Sequence, residues 1–431
     1  MNIKKYIAIV FVGVSFLTSI IAQENLTLSD AINIGLENNY NILIAKKDVQ
    51  IADENNSWGA VGLYPTIDVS VTSLNRFDDN GSSEVTTNNI LPSAQLNWVL
   101  FNGFKVYNSK RRLEDAYNLT KGFEAITVEN NIQSIILAYY DVLLQQERLK
   151  VFDEIEKLSK DRYDRTLLSK ELGSSITYEV LQAKNSWLED RSAYLSQKLN
   201  FDNTVRMLNL LIGEKNDKSY NFVDSFRVET YNYNFEDLKT KMFASNKTLK
   251  NQYINQIISE RNIDIASGDF YPTLRLSSGY DYESANQKIN SLPRSKSTGY
   301  DYYGNLILSW NLFNGLNTRR SLEIAKIENE VSKIETEQIE HSLNNTLTQL
   351  YELYNIRKEL LNVSEENLDA AKLNLQISEE KLKNGSISSF NYRDVQIIYL
   401  NAAIQKLNAI YNLKETDTEL ARLTGSIVSE E

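Results

Sequence analysis

The sequence predicts a mainly helical protein with a small β part, built from two copies of one half. Three observations carry that expectation: a motif that occurs twice, prolines confined to two short stretches, and long proline-free segments with a seven-residue apolar repeat. Tyr64-Pro65-Thr66 leads to Trp98-Val99-Leu100-Phe101-Asn102-Gly103, and Tyr271-Pro272-Thr273 leads to Trp310-Asn311-Leu312-Phe313-Asn314-Gly315. The copies lie 207 residues apart at the Tyr-Pro, as do Leu28-Ser29-Asp30 and Phe235-Glu236-Asp237, and 212 apart from the Trp onward. The longer spacing holds through Gly173 and Gly385 and through Gly213 and Gly425, so the second copy carries five extra residues between its Tyr-Pro and its Trp. Such a period is too long for a solenoid and marks a duplicated half-domain.

The elements follow in order. Residues 1–22 read as a secretory signal, with Lys4 and Lys5 before the apolar run Tyr6 to Ile21 and a small residue, Ala22, at the cut. A retained anchor is the alternative reading of that run, which is short for a spanning helix. Residues 23–213 form the first structural repeat, 214–234 an inter-repeat segment, 235–425 the second repeat, and 426–431 a C-terminal tail. The segment 215–234, rich in Tyr, Phe and Asn, is expected as a belt at mid-height.

All four prolines fall between a Tyr-Pro and a Phe-Asn-Gly, in β-hairpins expected at about 64–103 and 271–315. Proline breaks helices, so every other segment is free to be helical. Ile67, Val69 and Val71 alternate with Asp68, Ser70 and Thr72, and Ala94, Leu96, Trp98 and Leu100 alternate with Gln95, Asn97 and the apolar exception Val99. The second copy repeats this with Leu274, Leu276, Tyr280 and Tyr282, then Leu306, Leu308, Trp310 and Leu312 against Asn305, Ser309 and Asn311. A period of two with one apolar face is a strand signature. Polar turn residues, Asp78 to Ser83 and Ser291 to Ser295, sit at the hairpin tips. Strands of about ten residues suit a tilted bilayer crossing, with Trp98, Trp310, Tyr64 and Tyr271 as interfacial aromatics. The edge of a soluble β-sandwich is the alternative, and four strands offer it no second sheet. Four strands also cannot close a barrel, since open edges leave backbone groups unpaired in lipid, so closure needs several protomers.

After each hairpin, about 68 residues run without proline, a rod of roughly 100 Å. In the second rod Leu347, Tyr354, Leu361, Leu368, Leu375 and Leu382 recur at sevens, with Leu343 and Leu350 between, the pattern of a coiled coil. The first rod keeps Ile135, Val142 and Leu149 in register and breaks at Glu156. Each rod stops at a glycine, Gly173 or Gly385, and a Ser/Thr-rich turn restarts a return helix, giving helical tips at about 172–178 and 384–390. Both tips lie far from the strands.

The 431 residues include no cysteine, which excludes disulfide staples and acylation on an N-terminal cysteine. A net charge of −11 argues against nucleic acid as a partner. The sole histidine, His341, lies in a polar helical stretch, and there is no phosphate-cradling loop and no metal-ligand cluster, so no catalytic residue, cofactor or metal is expected. An exported coiled-coil stalk or adhesin without a conduit is the alternative to a channel, and it leaves the alternating hairpins without a role.

In the order and spacing of its Tyr-Pro strand starts, Leu-Phe-Asn-Gly strand ends and glycine tips, the chain resembles the TolC-like outer membrane efflux protein (outer membrane factor) family across essentially the whole mature sequence. The resemblance implies a homotrimer in the outer membrane of a Gram-negative bacterium. Its twelve strands would form one barrel in outer-membrane lipid, continued through the periplasm by a barrel of helices. It further implies a passive exit duct for a tripartite efflux pump or type I secretion system, with a periplasmic adaptor protein and an inner-membrane transporter as partners. The adaptor would dock at the tips, here Gly173, Ser174, Gly385 and Ser386. Family members narrow the tunnel with carboxylates six and nine residues after the second tip glycine, positions held here by Asn391 and Asp394. That leaves three carboxylates per trimer in that ring where the family can have six. The matching first-half positions are Glu179 and Gln182, and an arginine that some members carry two residues after the glycine is Ile387 here.

Overall fold

The computed structural model describes residues 24–427, so the signal segment 1–22 and residues 428–431 of the tail lie outside the described residues. Strand β1 (Glu24–Leu26) precedes helices α1 (Leu28–Asn38) and α2 (Tyr40–Asn55), hairpin strands β2 (Thr66–Asp79) and β3 (Glu84–Asn102), the rod α3 (Lys105–Glu171) and its return helix α4 (Thr177–Leu211). Strand β4 (Tyr220–Phe222) lies in the inter-repeat segment. The second half then repeats the series as α5 (Phe235–Ser245), α6 (Lys247–Ser267), β5 (Thr273–Ile289), β6 (Ser295–Ser309), α7 (Asn317–Lys383) and α8 (Ser389–Leu423). A mainly helical, duplicated chain with a small β part is therefore what forms.

Two asparagines break the helix before each hairpin in the same way. Asn39 ends α1 and starts α2, accepting from the Asn41 and Ile42 backbone N–H groups at 2.9 and 3.2 Å while its amide donates to the Leu211 carbonyl at 2.7 Å. Asn246 does the same between α5 and α6, accepting from Leu249 and donating to Leu423, both at 3.0 Å. Each side chain satisfies an orphan donor of one helix start and an orphan acceptor of a return-helix end.

The four long strands form one antiparallel sheet in the order β2-β3-β5-β6. Val69 pairs with Ala94, Ala94 with Tyr280, and Tyr280 with Tyr302, an apolar and aromatic row on one face. The adjacent row, Ser70, Ser93, Asp281 and Asp301, lies on the other face and is polar. Strands β2 and β6 are both edges. Trp310 and Leu312, read from the sequence as strand positions, lie past the end of β6, because β5 begins at Thr273 opposite Ser309 and leaves nothing there to pair with.

Each strand-to-rod elbow places two successive residues in the left-handed region, Gly103 (φ 71°) with Phe104 (φ 65°) and Gly315 (φ 68°) with Leu316 (φ 66°). The preceding asparagine accepts from the first turn of the rod, Asn102 from Val106 and Asn314 from Thr318, which gives the repeated Asn-Gly its structural meaning. At Gly103 a side chain would also strike the backbone of Gly268.

Rods α3 and α7 have 67 residues each, about 100 Å at 1.5 Å per residue. Leu347, Tyr354, Leu361 and Leu375 of the sevenfold stripe are buried within the chain. The break at Glu156 is filled by Trp187 of α4, whose indole N–H donates to the Glu156 carboxylate at 2.7 Å while its ring stacks on Tyr163. Near the rod midpoints the inter-repeat segment packs inward. β4 pairs in parallel with β1, the Tyr139 hydroxyl lies 2.8 Å from both the Leu26 carbonyl and the Asp224 carboxylate, and the Tyr354 hydroxyl accepts from the Tyr231 N–H at 2.8 Å. Among the described residues, no helix is long and apolar enough to cross a membrane.

Candidate functional site at the helical tips

Both tips close in the same way. Gly173 (φ 80°) and Gly385 (φ 70°) take the left-handed conformation, and the next residue's N–H reaches back to the rod, Ser174 to the Ser169 carbonyl and Ser386 to the Lys381 carbonyl, each at 2.8 Å. These bonds satisfy the orphan carbonyls of the rod ends. Gly173, Ser174, Gly385 and Ser386 are all exposed at the apex.

The restarts differ. Ser388 caps α8, its hydroxyl accepting from the Asn391 N–H at 3.2 Å. The matching position in the first half is Ile176, which makes no side-chain cap, and the neighbouring Ser175 hydroxyl donates instead to the Glu179 carboxylate at 2.5 Å. A Ser/Thr cap expected at both restarts is thus present at one.

A groove of about 310 Å³ between α4 and α8 brings together Glu179, Gln182 and Asp394, with Arg162 of α3 and Arg393 of α8 in its wall. Asn391 is not among the groove residues; it is exposed on the first turn of α8. Beside the groove, Arg393 donates to both oxygens of Asp190 at 2.6 and 2.8 Å, a bidentate pair between α8 and α4 in which the carboxylate is buried and the guanidinium half-buried. Arg162 reaches the Ser389 carbonyl at 3.2 Å. One turn or more up the same seam, the Tyr399 hydroxyl donates to Glu154 at 2.9 Å. Sequence reading missed Arg393, Asp190 and Arg162, and it had no signal for them, since the paired charges are 203 residues apart and each stands among other charged residues of its helix.

At the opposite end, both indoles are anchored alike. Trp98 donates to the Leu63 carbonyl at 2.8 Å and Trp310 to the Phe270 carbonyl at 3.1 Å, each just before a Tyr-Pro. Trp98, Trp310, Tyr64 and Tyr271 are all exposed around the helix-side rim of the sheet. Among the described residues, no group of His, Asp or Glu is placed to hold a metal ion.

Among curated proteins nothing matches. Among solved structures, CusC superposes with a TM-score of 0.74 at 17% identity, covering 94% of this chain and 93% of that one. The CmeC outer membrane channel of Campylobacter jejuni gives 0.73 at 15% identity, covering 93% and 85%. The open state of the MtrE outer membrane channel of Neisseria gonorrhoeae gives 0.70 at 14% identity, covering 93% and 89%. At these identities the likeness establishes the fold. The model of the outer membrane efflux protein family matches residues 31–214 and 240–426, one match for each half. With both halves matched and the fold shared with outer membrane channels, this chain belongs to the outer membrane efflux protein family, with its strands in the outer membrane and its helices extending into the periplasm.

Proposed function

We propose that three copies of this chain assemble into a passive outer-membrane exit duct of a tripartite efflux pump or type I secretion system, opened when a periplasmic adaptor and an inner-membrane transporter dock at the tips. The observation that carries this reading is the sheet with two free edges. With every copy in the same orientation and its apolar face outward, strand β2 of one copy pairs with β6 of another, a head-to-tail contact that closes into a ring. Three copies supply twelve strands, with the apolar rows facing lipid and the polar rows facing the lumen.

The duplication supports the same assembly. Contacts that the first half makes with the second inside a chain serve as templates for contacts that the second half makes with the first half of the next chain. Gly122 of α3 lies against Asn251 of α6; the matching residues are Ile334 of α7 and Ile44 of α2, both exposed in the single chain. An isoleucine pair across the seam removes apolar surface from water on assembly.

At the tips the chain itself holds the duct closed. The Arg393–Asp190 pair ties one helical hairpin to the other, and removing the arginine is unfavourable in the closed tip because the buried Asp190 carboxylate is left unpaired. Adaptor docking at Gly173, Ser174, Gly385 and Ser386 would pull α8 from α4 and break it, a rigid-body helix motion. Asp394, with Glu179 and Gln182 on the shared groove and Asn391 nearby, would form the constriction and attract cations. Planar-bilayer recording tests both parts. Arg393→Ala is expected to raise resting conductance severalfold, and Asp394→Ala to weaken block by multivalent cations. No conductance from any purified trimer would discard the duct and favour a stalk.

A further inference from the structure

Arg162 is the least satisfied buried charge at the tips. It is 4% exposed, and beyond its bond to Ser389 neither Nε nor the second terminal nitrogen has a partner. Burial first, and then the Arg393 guanidinium, push its pKa down to about 10, so it remains charged at neutral pH. Two guanidiniums therefore share one buried carboxylate. Arg393 takes both oxygens of Asp190, and Arg162 feels that carboxylate only through space.

The placement on the helices is asymmetric. Arg162 and Asp190 stand on α3 and α4, the two arms of one hairpin, whereas Arg393 stands on α8 of the other. Tyr163, next to Arg162, stacks on Trp187, less than one turn before Asp190, at 5.7 Å and 7°. The arms thus carry the arginine and the aspartate at nearly the same level, on a hairpin to which α8 does not belong.

Resting on the duct reading above, we propose that Arg162 is the second partner of Asp190: as the tip opens, the carboxylate passes from Arg393 to Arg162. The exchange replaces an ion pair between hairpins by one within a hairpin, so Asp190 keeps an ionic partner after α8 has left. It also relieves the open donors of Arg162, which a buried guanidinium keeps only at a cost. Arg162 consequently favours the open state. A plain brace, acting through the bond to the Ser389 carbonyl, would favour the closed one.

That opposite sign is the test. Full-length trimers carrying Tyr399→Phe, which loosens the same α3–α8 seam without touching the three residues, are recorded in planar bilayers with and without Arg162→Gln. The exchange predicts that Arg162→Gln lowers open probability about tenfold, the scale of a lost charged hydrogen bond, and that Arg162→Lys, which keeps the cation, lowers it less. An open probability that is unchanged or raised by Arg162→Gln overturns the exchange. Arg393→Ala is recorded alongside: if it fails to open the duct, the latch itself is wrong, whereas opening by both variants removes only the exchange. Electron cryo-microscopy of open Tyr399→Phe trimers gives a second readout that needs no further variant. Arg162 within about 3 Å of the Asp190 carboxylate is the expected result, and Arg162 still on the Ser389 carbonyl overturns it.

Discussion

Gly122 and Ile334 occupy the same position in the two halves, yet one is covered and the other bare. Gly122 lies tight against Asn251, whose amide reaches the Leu119 carbonyl at 3.3 Å, while Ile334 is 64% exposed. Leu144 is 4% exposed and its counterpart Ile356 is 57% exposed. The partner of Asp190 shows the same contrast, because Arg393 is held in an ion pair with a buried carboxylate and its first-half counterpart Leu181 is exposed. At Gly122 and Asp190 the contacts made inside the chain are polar or charged, whereas the exposed counterparts Ile334, Ile356 and Leu181 are all apolar. The difference has a physical reason. Joining separate chains costs translational and rotational freedom that halves of one chain do not lose again, and apolar burial, at about 25 cal/mol per Å², is the term that scales to offset it.

The strongest way to break this comparison is Ile334→Glu. Burying an unpaired carboxylate at each seam costs on the order of several kcal/mol, so native mass spectrometry should find the trimer lost; a trimer of wild-type abundance would mean that Ile334 does not face a neighbour. A paired substitution separates the seams next. Leu144→Ala should cost the protomer ~2–5 kcal/mol and lower Tm with little change in assembly, while Ile356→Ala should shift the trimer–monomer balance with little change in protomer stability. Equal effects on both quantities would erase the distinction. The smallest effect concerns the tips. Ser388→Ala should cost about 1 kcal/mol and speed hydrogen exchange at the first turn of α8, and Ile176→Ser should slow exchange at the first turn of α4.

Much of the architecture was legible because it rests on local, repeated chemistry. Proline confinement separates strand from helix, the Asn-Gly pairs mark elbows that need left-handed residues, and the tip glycines mark helix ends. The stripe from Leu347 to Leu375 is legible because a seven-residue period has one structural meaning. Less was legible where meaning depends on distant partners. The pairing of β1 with β4 joins three-residue strands 196 positions apart and has no periodicity to announce it. Asn39 and Asn246 look like ordinary helix residues until a return-helix carbonyl appears beside them. At the tip, the family resemblance pointed to Glu179, Gln182, Asn391 and Asp394, and the groove gathers three of them; the ion pair beside it needs two helices from different hairpins at one level, which no sequence pattern encodes.

In the assembled duct the two bare edges and the bare apolar surfaces of one chain meet those of the next. Electron cryo-microscopy of the full-length protein in lipid nanodiscs tests it most directly. The expected result is a three-fold hollow cylinder with twelve strands, β6 paired to the next copy's β2, and Ile334 packed against Ile44 of the partner subunit. A solid rod, or a ring in which those edges stay unpaired and Ile334 faces water, would contradict it.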